Sequence, residues 1–122
     1  MERAASGALA AGGQTVGILP GTSEKESPPN PSIQIPIFTG LGQARNLVLV
    51  LSGQAVIAVG GSWGTLSEIA LAIKHRIPVV SLSSWNTLQS AANEEPLLEF
   101  AATAPEAVRR AIASSRRHRH DS

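Results

Sequence analysis

The sequence predicts an α/β fold in which short buried strands form a parallel sheet and helices connect them. Three apolar runs, at residues 15–19, 55–59 and 78–82, contain few polar side chains, which is typical of parallel strands covered on both faces. Segments with helical character alternate with these runs, and the connections are short. The order strand, helix, strand, helix, strand implies right-handed crossovers and a doubly wound sheet.

In the N-terminal half, glycines and prolines fix the predicted boundaries. An Ala-rich helix ends at Gly12 and Gly13, where helices commonly take a left-handed cap. Isoleucines alternate through residues 33–37, which indicates a strand, and Pro36 restricts it to a short or edge position. The predicted elements are a helix over 1–11, a strand over 15–19, a polar loop over 22–31, a strand over 33–37 and a helix over 41–52.

In the C-terminal half, hydrophobic periodicity decides the assignment. Residues 55–59 carry no polar side chain, and residues 65–75 place their apolar side chains on one helical face. Residues 47–51, at the end of the preceding helix, are apolar all round and are expected to be deeply buried. Pro105 suits the first turn of a helix. The predicted elements are a strand over 55–59, a helix over 65–75, strands over 78–82 and 98–102, and a helix over 105–113.

Length and composition bound the class of protein. The 122 residues suffice for one domain, and 43% of them are hydrophobic, which can supply an aliphatic core. The chain has no Cys, which excludes disulfides, thiolate nucleophiles and iron–sulfur clusters. It has no apolar run of about 20 residues and no signal-peptide pattern at its start. We therefore expect a cytoplasmic protein without membrane contact or a metal site, with a single domain over residues 1–113.

The charge of the chain is uneven. The net charge is +1, but from Arg109 onward five arginines stand against one aspartate. Residues 114–122 are therefore predicted to be a basic, disordered tail. We expect a solvated terminus and no nucleic-acid partner; the alternative is an inactive fragment that acts only through this tail.

The strongest candidate site is the glycine-rich turn after the 55–59 strand, because ligands of open α/β sheets lie beyond the carboxyl ends of the strands. Glycines let the backbone approach a ligand, and the start of the following helix attracts an anion. The turn has neither a Walker ending nor dinucleotide-fingerprint spacing, so it predicts a phosphate-binding loop or merely a tight turn. The candidate ligand-binding residues are Gly60, Gly61, Ser62, Trp63, Gly64 and Thr65, with Pro20, Gly21, Thr39 and Gly40 from the turns after the first two strands.

Three side chains near this turn each have a structural and a functional interpretation. Glu68 stands three residues after Thr65, the spacing of a capping box, and it is also a candidate catalytic carboxylate. Arg45, at the start of its helix, is either an ordinary ion-pair partner or a fixed cation for a phosphate or carboxylate. Trp63 either packs over the loop or stacks on a ligand ring.

The segment GQARNLVLVLSGQAVIAVGGSWGTLSEIALA resembles the LONELY GUY-type, lysine-decarboxylase-like Rossmann-fold proteins. Their hallmark is Pro-Gly-Gly-x-Gly-Thr-x-x-Glu with an Arg on the preceding helix. Gly60 and Ser62 depart from that pattern, and the flanking TVGILPG and IPIFTGLGQARN are more similar to a sister branch, the bacterial molybdenum cofactor carrier-like nucleotide-binding proteins. The residues at matching positions are Gly61, Gly64, Thr65, Glu68 and, upstream, Arg45.

The resemblance implies a Rossmann-like three-layer sandwich and two alternative functions. In the carrier branch, the cleft holds a nucleotide or a phosphorylated pterin–molybdenum compound without turnover, and no further cofactor is required. In the enzyme branch, Arg45 and Glu68 would match the catalytic pair that hydrolyses the N-glycosidic bond of nucleoside 5′-monophosphates. Relatives usually form homo-oligomers, so a second copy of the chain is an expected partner.

The resemblance also implies that the chain is incomplete at its N-terminus. Family members begin with strand, helix, strand and a further glycine-rich turn before the helix that opens this sequence. Their first strand lies in the middle of the sheet, beside the equivalent of the 55–59 strand. We therefore expect a Rossmann-like fold that lacks these first strands.

Overall fold

The computed structural model describes residues 2–82 and 95–117. The chain divides into two compact units, Met1–Val48 (unit 1) and Leu49–Ser122 (unit 2). The elements in chain order are α1 (Glu2–Ala10), β1 (Val16–Leu19), β2 (Ile35–Phe38), a 3-10 helix (Gly42–Ala44), α2 (Arg45–Leu51), β3 (Val56–Val59), α3 (Trp63–Lys74), β4 (Val79–Leu82), β5 (Leu98–Ala101) and α4 (Ala104–Arg117). Every strand predicted from the sequence is present.

Unit 1 contains α1 and a two-stranded parallel sheet. The helix ends as predicted, because Gly12 adopts a φ of +85° and the Gly13 amide donates to the carbonyl of Ala8. Strand β1 pairs with β2 in parallel, with Gly17 opposite Pro36. Within the described residues β2 pairs with no other strand, which agrees with the edge position predicted from Pro36.

The helix predicted over residues 41–52 is shorter and less buried than expected. It opens with one 3-10 turn, and the α-helical part covers only Arg45–Leu51. The expectation that residues 47–51 are deeply buried is wrong, because Leu51 is 52% exposed and only Val50 is buried. A helix of seven residues presents one narrow face to a core, so an apolar sequence on its other faces stays in solvent.

Unit 2 has three layers. Strands β3, β4 and β5 form a parallel sheet in that order, with Val79 of β4 opposite both Val56 and Leu98. This arrangement confirms the predicted α/β sandwich with a parallel sheet. The buried residues on the α3 side are Val50, Ala58, Ile69, Ala72, Val79 and Leu98, and those on the α4 side are Val80, Ala107 and Ala111.

Strand β3 is less covered than its sequence predicts. Ala58 is buried, but Ile57 is 38% and Val59 60% exposed. The expectation of a strand covered on both faces is therefore wrong for β3. The reason is its position, since within the described part of the chain β3 has a partner strand on one side only.

Helix α4 is longer than predicted and includes part of the expected tail. It continues to Arg117, four residues beyond the predicted end at residue 113. Ser114 is buried, and its hydroxyl donates to Glu99 at 2.5 Å. The prediction of a disordered tail is thus wrong for residues 114–117, and the rest of the tail, 118–122, lies outside the described residues.

Candidate functional site

The glycine-rich turn joins the end of β3 to the start of α3. Gly60 adopts a φ of +89°, a conformation that favours glycine, and its amide donates to the Leu82 carbonyl at the end of β4. Ser62 is extended and caps the helix, because its hydroxyl oxygen accepts from the Thr65 amide at 3.1 Å. The turn therefore ends in a helix N-terminus beyond the carboxyl ends of two parallel strands.

This cap differs from the one that the sequence favoured. Helix α3 begins at Trp63, so Thr65 is its third residue and Ser62 is the capping residue. The Thr65 hydroxyl lies 2.9 Å from the Ser62 hydroxyl. The capping-box interpretation of Glu68 is consequently wrong, because Glu68 lies in the second turn of the helix, half-buried, and not three residues after the cap.

The loop is exposed and carries no negative charge of its own. Gly61, Ser62, Trp63 and Gly64 are exposed, with Trp63 at 76%, and the first turn of α3 contains no acidic residue. The first amides of a helix lack carbonyl partners within it, and the helix dipole is positive there. The arrangement suits an anion that approaches from solvent.

A second group of candidate residues lies in unit 1, at the carboxyl ends of β1 and β2. The amide and the hydroxyl of Thr39 donate to the Leu19 carbonyl at 3.0 and 2.7 Å. The Gly40 amide donates to the Gly21 carbonyl at 2.9 Å, and Gly40 has a φ of +66°. The two turns that follow these strands are therefore hydrogen-bonded to one another.

Arg45 belongs to the same group. It is the first residue of α2, and its Nη1 donates to the carbonyl of Ile18 in β1 at 2.9 Å. The half-buried side chain is thereby held at the end of the sheet. The structure thus brings the predicted residues together in two groups, one per unit. Unit 1 holds Pro20, Gly21, Thr39, Gly40 and Arg45, and unit 2 holds Gly60, Gly61, Ser62, Trp63, Gly64, Thr65 and Glu68.

Sequence reasoning missed two residues of unit 1. The Glu26 carboxylate accepts from the amide and the hydroxyl of Thr22 at 2.6 and 2.7 Å, so this part of the loop is ordered by its own side chains. These hydrogen bonds lower the pKa of Glu26 below its usual value of 4.5. Asn46 follows Arg45, and its Oδ1 is buried with no hydrogen-bond partner among the described residues. In the sequence, the polar composition of the loop was the available signal for Glu26, and the Arg-Asn pair was the available signal for Asn46.

Comparison with known proteins finds a matching family and similar solved structures. The model of the SLOG cluster4 family matches residues 1–109. A solved molybdenum cofactor binding protein from Rippkaea orientalis is 41% identical with a TM-score of 0.79, over 93% of this chain and 69% of that protein. The molybdenum cofactor carrier protein of Chlamydomonas reinhardtii is 37% identical with a TM-score of 0.80, over 93% of this chain and 70% of that protein.

A curated relative is considerably longer than the region it shares. An uncharacterized protein of Archaeoglobus fulgidus is 46% identical over 82 residues, which are 67% of this chain and 52% of that protein. The match thus spans about half the length of this curated relative. None of the helices in residues 2–82 and 95–117 is long and apolar enough to cross a membrane.

Proposed function

This chain belongs to the SLOG cluster4 family, and from that premise we propose that it binds a phosphorylated ligand of the molybdenum cofactor type. Two solved relatives, 41% and 37% identical to it, are described as a molybdenum cofactor binding protein and a molybdenum cofactor carrier protein. A carrier holds its cargo without converting it. The ligand is therefore cargo in this proposal.

The observation that carries the proposal is the N-terminus of α3. The hydroxyl oxygen of its capping residue, Ser62, accepts a hydrogen bond from the Thr65 amide. The first turn of the helix contains no acidic residue. A phosphate group placed there would meet backbone amides and the positive end of the helix dipole. Hydroxyl groups of Ser62 and Thr65 add donors that suit an anion, so the residues present fit a phosphorylated ligand.

The rest of the loop fits the organic part of such a ligand. Gly60 reverses the chain at a positive φ, and no atom lies within 4 Å of the position its Cβ would take. The backbone therefore leaves room for a ligand on this side. Trp63 is 76% exposed beside the same amides, and its indole offers a face on which a pterin or a base can stack.

The group in unit 1 would supply a fixed cation. The guanidinium of Arg45 has five N–H donors, and the bond from its Nη1 to Ile18 holds the side chain at one orientation. We propose that its other donors contact an anion at the carboxyl ends of β1 and β2, and that the buried Oδ1 of Asn46 accepts a hydrogen bond from a ligand bound there. Both roles belong to binding and require no turnover.

A second candidate function, hydrolysis of nucleoside 5′-monophosphates by Arg45 and Glu68, keeps one observation in its favour. Glu68 lies half-buried in the second turn of α3, the helix whose first turn forms the candidate anion site. A carboxylate near the anomeric carbon would stabilise positive charge in the transition state. If the wild type releases the base from AMP, and Glu68→Gln binds AMP but no longer releases the base, the enzyme function would be supported in place of the carrier function.

Thermal unfolding of the purified 122-residue chain tests the carrier proposal. We expect one cooperative transition that the molybdenum cofactor, added anaerobically, moves upward. A ligand at 100 times its dissociation constant stabilises by about 2.7 kcal/mol, a shift of roughly ten degrees for a domain of this size. AMP is the matched nucleotide, and adenosine controls for the phosphate. A transition that neither phosphorylated compound moves would overturn the proposal.

A further inference from the structure

We propose that the outer face of helix α4 binds an acidic helix of another protein. The buried face of α4 consists of Ala107, Ala111 and Ser114 and lies against the sheet of unit 2. An α-helix turns once in 3.6 residues, so the residues on its opposite side recur at intervals of three and four. These residues, which we call the α4 outer stripe, are all exposed: Pro105, Val108, Arg109, Ile112 and Arg116.

The centre of the α4 outer stripe is apolar. Val108 and Ile112 are each 48% exposed, and they are neighbours on the helix surface because they are four residues apart. Neither side chain packs against the two clusters of buried residues in unit 2. Two adjacent aliphatic side chains with charged residues beside them have the anatomy of a small protein interface, an apolar centre with a polar rim.

The four arginines of α4 fall into two pairs. Arg110 and Arg117 are directed to the sheet, where Arg110 Nη1 lies 3.3 Å and Arg117 Nη2 lies 3.5 Å from the carboxylate of Glu99. Arg109 and Arg116 lie on the α4 outer stripe and form no ion pair with any residue in the part of the chain that the structure describes. The stripe therefore presents two cations that the fold itself does not use.

The occupant that fits these cations carries carboxylates. The only acidic residue of α4, Glu106, already accepts hydrogen bonds from the Ala102 amide and from Arg110. Arg109 and Arg116 are seven residues apart, which is about 10 Å along the helix axis. A partner helix with two carboxylates at the same spacing can pair with both guanidinium groups while its apolar face covers the aliphatic centre of the stripe.

Other occupants fit the α4 outer stripe less well. A second copy packed antiparallel on the same stripe would bring Arg109 and Arg116 towards the same two cations, which is unfavourable. The stripe has no aromatic residue and only two aliphatic ones, a smaller apolar face than helices bound at a membrane surface usually have. Two cations also neutralise few of the phosphates that hold a nucleic acid.

Selection of peptides on the purified protein tests the charge of the partner. The probe is a displayed library of helical peptides that have leucine along one face and Glu, Gln or Lys at the positions beside it. We expect the wild type to enrich peptides with Glu at these positions. The double variant Arg109→Glu/Arg116→Glu should enrich peptides with Lys instead, because the charge of the stripe is reversed.

The affinity of one enriched acidic peptide, measured by fluorescence anisotropy, tests the location. Arg109→Glu/Arg116→Glu should weaken binding at least tenfold, and Ile112→Ser should weaken it about tenfold through lost apolar contact. The matched control is Arg3→Glu/Lys25→Glu, which changes the net charge equally at two exposed residues of unit 1. The control protein should bind the peptide like the wild type.

Amide NMR of the wild-type protein keeps the test valid if a variant fails to fold. The acidic peptide should shift the signals of residues 108–116 more than those of α1 or α3. Enrichment of no peptide, or of Gln or Lys peptides by the wild type, would overturn the proposal. So would an equal loss of affinity in the control, peptide-induced shifts centred elsewhere, or binding through Ile112 to phosphatidylserine vesicles but not to acidic peptides.

Discussion

Helices α3 and α4 begin at equivalent places in the sheet of unit 2, each after a parallel strand, yet their N-termini are completed differently. At α4, the Thr103 hydroxyl accepts from the Glu106 amide at 3.3 Å, and the Glu106 carboxylate accepts from the Ala102 amide at 3.1 Å. At α3, Ser62 supplies the cap and no acidic side chain follows in the first turn. The first turn of α4 contains a carboxylate, and the first turn of α3 does not.

The difference concerns which helix start could accept an external anion. The hydrogen bonds from the Ala102 amide and from Arg110 lower the pKa of Glu106, so this carboxylate is stabilised in its ionised form. The field of the helix dipole also favours an anion at a helix start. The same field at α3 faces exposed glycines and the exposed Trp63. An external phosphate would have to displace a bound carboxylate at α4, and it would meet none in the first turn of α3.

The largest effect is expected from transplanting the carboxylate of α4 onto α3. Thr65→Glu places a glutamate three residues after the capping Ser62, the same spacing that separates Thr103 from Glu106. We expect the affinity for the molybdenum cofactor or AMP to fall about tenfold or more, because a like charge occupies the anion position. The melting temperature should stay the same or rise.

Thr65→Gln is the matched control, because it can make the same capping bond without a charge. It should bind much more tightly than Thr65→Glu, as measured by the quenching of Trp63 fluorescence in a Trp85→Phe background. Equal binding by the two variants would show that the charge at this position is irrelevant.

The next effect concerns the turn itself. Gly60→Ala places a Cβ on a residue at φ +89°, which costs about 1–2 kcal/mol in backbone strain alone, since no atom crowds the position. We expect the melting temperature to fall by about 4 °C for each kcal/mol. Gly64→Ala, inside the helix, is the control and should be neutral or stabilising. A Gly60→Ala protein as stable as Gly64→Ala would contradict the turn described.

Removing either of the two capping residues should have a smaller effect on stability, and only one of the two removals should affect ligand binding. Ser62→Ala and Thr103→Ala each remove one cap and should each lower the free energy of unfolding by about 1 kcal/mol. Only Ser62→Ala should also weaken ligand binding. Urea unfolding and ligand titration of both variants separate the two properties, and a binding defect in Thr103→Ala would argue against the distinction between the helices.

The smallest effect is the pH dependence of α4. The pKa of Glu106 is lowered from 4.5 in the folded protein, so its contribution to stability is present above pH 4.5 and is lost as pH falls through the lowered pKa. Between pH 6 and pH 3, the melting temperature of the wild type should fall further than that of Glu106→Gln. At pH 7 the two proteins should bind ligand equally well. Parallel pH profiles would mean that Glu106 does not contribute as described.

Much of the fold was predictable because the strands are short apolar runs bounded by glycine or proline. Within residues 2–82 and 95–117, every strand coincides with a segment that the sequence predicts to be a strand. The end of α4 was not predictable, since it depends on Ser114 and Arg117 reaching Glu99 on β5, a contact between residues distant in sequence. The exposure of β3 was not predicted, because an apolar sequence indicates a strand but does not indicate where in the sheet that strand lies.

The sequence predicted which residues form the candidate site, but it did not predict at which residue helix α3 begins. Ser62, Thr65 and Glu68 follow one another at intervals of three, so the sequence offers two overlapping caps. The backbone decides between them, because Ser62 is extended, at φ −75° and ψ 161°, and the helix begins after it. That choice removes Glu68 from the capping role and leaves the first turn without a carboxylate. The ordering of the 20–27 loop by Glu26 likewise depends on side-chain hydrogen bonds that composition does not reveal.

The most direct test of the ligand site is a titration of the isotope-labelled chain followed through its backbone amide NMR signals. Addition of the molybdenum cofactor, and separately of AMP, should shift the signals of residues 60–65 in proportion to occupancy. The signals of residues 102–106, at the carboxylate-capped start of α4, should stay in place. Shifts centred on α4, or no saturable shift at residues 60–65, would contradict the account.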